Sequence, residues 1–183
     1  MSRLSLITLL LCLLALTVRA QTPPATTGDT SSEVPKAKQT TLGLYVTAAE
    51  AYGRWEADPT HVKIVDVRTP EEYIFVGHAD MAWNIPYSFQ TYAWDAGKEH
   101  FAMQPSATFV DDVKAVVQPG DTLYLMCRSG PRAARAVNAL AEAGLTNVYN
   151  IVDGMEGDAV KDPESPSNGK RVLNGWKNAG LPW

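Results

Sequence analysis

Cysteine is nearly absent from this chain, with only Cys12 and Cys127 among 183 residues. Exported domains that rely on covalent cross-links carry cysteines in pairs, and Cys12 lies inside an apolar N-terminal run. Cys127 is therefore left without a partner, and a disulfide scaffold is excluded. Histidine is equally sparse: His61, His78 and His100 have no metal-ligand spacing with one another or with Cys127, which argues against a zinc site. The N-terminal apolar run, residues 4–18, counts 15 residues, short of the roughly 20 that a membrane-spanning helix needs. Nor is there a basic excess. The 16 Lys and Arg face 20 Asp and Glu, a balance that argues against general binding to nucleic acid or to an anionic membrane.

The run has a basic start at Arg3 and small residues at Val18 and Ala20. It reads as a secretory signal peptide, residues 1–20, cut before Gln21. Cys12 leaves with it, as do Arg3 and Arg19, so the mature charge becomes about −6. No membrane attachment is expected after cleavage, and the bacterial periplasm is the expected compartment. A polar stretch rich in Thr, Ser and Pro, residues 21–40, reads as a flexible linker. Residues 41–183 are then enough for one domain with an ordinary core.

Within that domain two periods alternate. "VKIVDV" (62–67), "TLYLM" (122–126) and "NVYNI" (147–151) are short apolar strands separated by helix-like stretches. Such alternation implies an α/β fold whose central, mainly parallel sheet has helices on both faces. Thr47 with Glu50 and Thr69 with Glu72 fit capping boxes, the second with Pro70 at the first helical position. Further helices are expected near "PSATFVDDVKAVV" and over residues 132–143, which stop at Gly144. Two segments, 87–105 and 158–174, read as loop elaborations.

"DTLYLMCRSGPRAARAVNAL" (121–140) carries the chemistry. A buried strand ending near Met126 and a helix starting near Arg132 place Cys127 in a tight loop at the carboxyl end of a parallel strand, where open α/β sheets hold their ligands. The loop's N–H groups and the positive end of the helix dipole form a nest for an anion. Gly130 lets the backbone curl, and Arg128 and Arg132 add full charges. Lowering a thiol from about 8.5 to about 6.5 raises its thiolate fraction at pH 7 from roughly 3% to roughly 75%. A lone cysteine ending a strand is often a small core residue; the coincidence of a glycine, two arginines and a helix start favours a nucleophile.

"CRSGPRAA" resembles the active-site loop of rhodanese-like sulfurtransferases, with Cys127, Gly130 and Arg132 at the family's positions. "IVDVRTPEEYIFVGHADMAWNIP" (64–86) resembles the family's first signature, through Asp66, Arg68, Glu72, Tyr73, Gly77, His78 and the closing residues 84–86. "NVYNIVDGMEG" with the later "GWKNAGLPW" is similar to its last strand, glycine turn and final helix. The sequence departs from the family at Ala79, at Met81, at Asp153, which replaces the first of a paired glycine, and in the interruption at 158–174. The resemblance implies a sulfurtransferase in which Cys127 attacks the outer sulfur of a small anionic donor such as thiosulfate. The acceptor would be cyanide, a thiol or a partner protein. Arg128, Ser129, Gly130, Pro131 and Arg132 would bind the substrate, with Arg128 meeting the donor's charged end and Arg132 fixing the loop. Asp66 and Arg68 would support them, and no metal or organic cofactor is implied.

Other residues have more ordinary readings. Asp66 and Arg68 are expected to form a structural polar pair, His78 to brace a turn rather than act as a base, and Trp83, Tyr92 and Trp94 to pack in core or loop. Two other functions fit the same loop: a non-catalytic persulfide carrier or interaction module, and a phosphatase or arsenate reductase. The phosphatase and arsenate-reductase relatives, by resemblance, have five residues between cysteine and arginine, whereas Cys127 and Arg132 are separated by four.

Overall fold

The computed structural model describes residues 34–183. The signal peptide expected over 1–20 and most of the linker lie outside the described residues. The described part of the linker, 34–40, is held to the domain surface. Its 3-10 turn at Lys36–Lys38 buries Lys38, whose ammonium pairs with Asp158 at 2.7 Å.

Five parallel strands form the central sheet: β1 (Tyr45–Val46), β2 (Val62–Asp66), β3 (Trp83–Asn84), β6 (Thr122–Met126) and β7 (Val148–Ile151). Their order is β1-β7-β6-β2-β3. Each of the longer strands alternates between two cores. Val65, Val67, Leu123, Leu125 and Val148 pack under α3 (Phe109–Val116) and α4 (Pro131–Glu142). Ile64, Tyr124, Met126 and Ile151 pack with Ala48 and Ala51 of α1 (Ala48–Ala57) and with Met155 and Trp176. Burial on both faces explains why these strands read as nearly continuous apolar runs.

The helix starts follow from side-chain chemistry. Thr47 and Glu50 close a capping box at α1, and Thr69 and Glu72 close another at the short α2 (Pro70–Phe75). In each, the threonine hydroxyl accepts the N–H three residues on and the glutamate accepts the threonine's own N–H, which satisfies two otherwise orphaned donors.

Three expectations are corrected. Residues 87–105 are not a loop: they form an antiparallel hairpin, β4 (Ser88–Asp95) with β5 (His100–Pro105), separate from the central sheet. Its register shifts between Gln90 and Trp94, and the extra residues break the two-residue period that marks a strand. The aromatics expected to pack are instead in contact with solvent: Trp83, Tyr92 and Trp94 are all exposed. Trp94 retains an edge-on contact with Phe101. The final segment forms no helix. Residues 175–180 make a single turn in which Ala179 N–H bonds the Gly175 carbonyl, and Pro182 has no N–H with which to extend it.

Candidate active site

Chain direction locates the site. From β2 the chain moves outward to β3, and from β6 it moves the other way, to β7. The connections diverge between β2 and β6, and the carboxyl ends of such diverging strands are where open α/β sheets hold their ligands. The parallel ladder continues one step past the strands, where Val67 N–H donates to the Met126 carbonyl at 2.8 Å. Cys127 follows at once, 2% exposed and a free thiol.

The loop after Cys127 is short and fully determined. Gly130 has φ +103°, and a Cβ there would sit 2.6 Å from the Val152 carbonyl oxygen, so only glycine fits. Pro131 then opens α4 at its first position, where a missing N–H does no harm. The Gly130 N–H turns back to the thiol, 3.2 Å from Sγ.

The turn after β7 holds the loop from behind. Met155 N–H donates to the Cys127 carbonyl at 2.8 Å, and the N–H groups of Glu156 and Gly157 donate to the Arg128 carbonyl at 2.9 and 3.3 Å. In a trans peptide the C=O and N–H point in opposite directions. With those two carbonyls fixed toward the 155–157 turn, the N–H groups of Arg128 and Ser129 point away from it. Neither has a partner among the described residues. The loop thus combines one N–H on the sulfur, two unpartnered N–H groups and the N-terminus of a 12-residue helix, an arrangement that favours an anion.

Of the residues proposed for substrate binding, Arg128 is exposed with no side-chain partner among the described residues, Ser129 is half-buried, and Gly130 and Pro131 shape the backbone. Arg132 is placed differently. Its Nη1 and Nη2 donate to Glu72 Oε2 and Oε1 at 2.5 and 3.0 Å, a fork-to-fork pair. Burial alone would raise the Glu72 carboxyl. The Arg132 bonds and charge, the Thr69 N–H and the Arg68 charge together hold it below its ordinary range. Burial likewise works against the Arg132 cation, but the bonds and charge of Glu72, with the charges of Cys127 and Asp66, outweigh it and raise its pKa.

Asp66 and Arg68 are both fully buried and locked together. Arg68 Nε and Nη2 donate to the Asp66 carboxylate at 3.0 and 2.6 Å, and Nη2 also donates to the Gly77 carbonyl at 2.8 Å. Asn84 Nδ2 bridges the carbonyls of both residues. Of the Arg68 guanidinium nitrogens, Nη1 alone has no partner among the described residues. His78 stacks on Tyr73 with ring centres 3.7 Å apart, and its Nδ1 lies 3.0 Å from the Tyr73 carbonyl, so it braces the turn after α2. Among the described residues no group of His, Cys, Asp and Glu is placed to hold a metal ion.

Sequence reasoning missed the functional part of Glu72. It is recognisable as a capping residue, but its bond to Arg132 joins positions 60 residues apart.

The rhodanese-like domain matches residues 47–159, and the chain belongs to that family. Thiosulfate sulfurtransferase 16, chloroplastic, of Arabidopsis thaliana is 35% identical over 92 residues, covering 50% of this chain and 69% of that protein. The uncharacterized protein RP600 of Rickettsia prowazekii is 32% identical over 124 residues, 66% of this chain and 80% of that protein. The crystal structure of Rv0390 from M. tuberculosis superposes with a TM-score of 0.57 at 28% identity, covering 75% of this chain and 94% of that one.

Proposed function

We propose that this protein is a sulfurtransferase that carries sulfane sulfur as a persulfide on Cys127. The Cys127 thiolate attacks the outer sulfur of thiosulfate or a similar donor. The new bond is Cys Sγ to that sulfur, and the donor's sulfur–sulfur bond breaks with its electron pair leaving on sulfite. The persulfide anion left on Cys127 has its terminal sulfur taken by cyanide or by a thiolate acceptor, which returns the cysteine thiolate. Each step conserves charge and needs no redox partner, and the two half-reactions give ping-pong kinetics.

The observation that supports this most is the run of N–H groups in the loop that follows Cys127. Gly130 N–H lies 3.2 Å from Sγ, and the unpartnered N–H groups of Arg128 and Ser129 can receive the charge that moves to the outer sulfur. The exposed Arg128 guanidinium suits the sulfonate end of the donor. The short loop favours sulfur over phosphorus: attack at the centre of a tetrahedral oxyanion must seat three oxygens around the thiolate, which asks for a wider ring of donors. Sulfite also leaves without a proton, and no Asp or Glu lies between Cys127 and Arg132 to supply one.

The test is a side-by-side assay of thiosulfate-to-cyanide transfer and of aryl-phosphate hydrolysis, with Cys127→Ser as blank. Transfer above the blank without hydrolysis is expected. Hydrolysis without transfer from thiosulfate or persulfide donors would favour the phosphatase reading.

A further inference from the structure

Asp153 is a charged side chain where the family pattern has glycine, and it is buried. Its Oδ1 accepts the Ala48 N–H at 2.8 Å, at the first residue of α1, and its Oδ2 accepts the Gly175 N–H at 3.1 Å, at the start of the C-terminal turn. Burial raises its carboxyl, and those N–H bonds, one from its own backbone and the charge of Lys38 work against that rise. A buried carboxylate costs stability unless its lone pairs are satisfied. Here one carboxylate ties β7's exit to two other parts of the chain.

The next four residues touch the thiol loop. Gly154 has φ +62°, and a Cβ on it would lie 2.5 Å from the Cys127 carbonyl oxygen and 2.8 Å from the Arg128 carbonyl. Met155, Glu156 and Gly157 supply the N–H groups that hold those two carbonyls. The 154–157 turn is pulled from its other side as well, since Trp176 N–H donates to the Gly154 carbonyl at 2.8 Å and Lys177 N–H to the Met155 carbonyl at 3.1 Å. Asp153, by binding Gly175 N–H, sets the position of that C-terminal turn against the 154–157 turn.

We infer that Asp153 is a positioning residue for the thiolate. Its carboxylate fixes the 154–157 turn, the turn fixes the carbonyls of Cys127 and Arg128, and the fixed peptides aim the N–H groups of Arg128 and Ser129 away from the turn, where an anion on Cys127 can use them. The use of those N–H groups rests on the sulfurtransferase reading, but their effect on the thiol itself does not.

The two ways in which Asp153 could influence Cys127 have opposite signs. Deleting a nearby negative charge favours the thiolate by simple Coulomb interaction, whereas loosening its N–H donors disfavours it. Asp153→Ala removes both acceptors. Asp153→Asn keeps one and turns an amide N–H₂ toward the other N–H. The measurement is the rate of Cys127 alkylation by iodoacetamide against pH in the full chain, beside the urea-unfolding midpoint. The expected result is a slower rate at pH 7, about fivefold for Ala and about twofold for Asn, with the rate–pH curve displaced to higher pH in that order. In thiosulfate assays kcat should fall as well. Folded variants that alkylate as fast as wild type, or faster, would overturn the inference. So would failure of both variants to fold cooperatively, which would make Asp153 a folding residue. Because alkylation needs no sulfur donor, its outcome stands even if no persulfide forms.

Discussion

Glu72 holds Arg132 by both terminal guanidinium nitrogens, at 2.5 and 3.0 Å, and with the same carboxylate closes the capping box of α2 through the Thr69 N–H. One side chain therefore couples the start of the helix after β2 to the first turn of the helix after β6. These are the two helices that follow the strands on either side of the point where the connections diverge.

Glu72→Gln should destabilise the domain by about 2 kcal/mol, the scale of hydrogen bonds to a charged group. The pH dependence has a definite sign. The folded carboxyl lies below its ordinary value of 4.5, so the unfolded state binds the proton more readily. The stability from this pair is fully present above that value and is lost as pH falls through the folded value. Asp153 runs the other way: its folded carboxyl lies above 3.8, so its contribution declines as pH rises through the folded value. Urea midpoints measured downward from pH 6 should fall more steeply in wild type than in Glu72→Gln.

Arg128 and Arg132 should separate by kinetics. Arg128 is exposed and has no side-chain partner among the described residues, so Arg128→Ala should leave the unfolding midpoint unchanged and raise the KM for thiosulfate about fivefold, the equivalent of about 1 kcal/mol. Arg132→Ala leaves Glu72 unpaired, so it should lower the midpoint and also slow alkylation of Cys127 at pH 7. Equal alkylation in wild type and Arg132→Ala would remove Arg132 from that role.

Trp176 is fully buried, lies edge-on to Tyr52 at 5.8 Å and donates its indole N–H to the Pro182 carbonyl. Trp176→Ala should cost about 3–5 kcal/mol, read from denaturant unfolding. A loss below about 1 kcal/mol would show that the C-terminal turn is not part of the core.

The excursion at 158–174 is tied across its base, where Asp158 N–H bonds Asn174 Oδ1, Ala159 bridges Arg171, and Val160 donates to the Lys170 carbonyl and accepts from Gly169 N–H, while Asp158 pairs with Lys38. Residues 161–164 are exposed. Deleting 161–168 and joining the ends with two glycines should leave the melting temperature within a few degrees and change acceptor preference more than stability. A large fall in melting temperature would show that the excursion is packed structure.

The strands and helices that carry the site were legible because each is specified locally. Residues 122–126 are buried on both faces and read as an unbroken apolar run, and the threonine–glutamate spacing marks two helix starts whatever lies around them. The Cys127 loop was legible for the same reason, its glycine, proline and arginines being neighbours in sequence. Four features were not. β1 and β3 have two residues each, too few to show any period. The β4–β5 hairpin buries no face, and its irregular register hides the alternation of Phe89, Trp94, Phe101 and Met103. The pairing of Glu72 with Arg132, and the grip of the 155–157 turn on the Cys127 and Arg128 carbonyls, join distant positions through backbone atoms or a residue already assigned a local task.

The central claim is that sulfur resides on Cys127, and intact-protein mass spectrometry tests it most directly. Wild type and Cys127→Ser are incubated with thiosulfate, desalted and weighed, then treated with cyanide and weighed again. Wild type should gain the mass of one sulfur atom, located on the peptide that contains Cys127, and lose it to cyanide, while Cys127→Ser gains nothing. An unmodified wild type after thiosulfate and persulfide donors alike, or the same gain in Cys127→Ser, would contradict it.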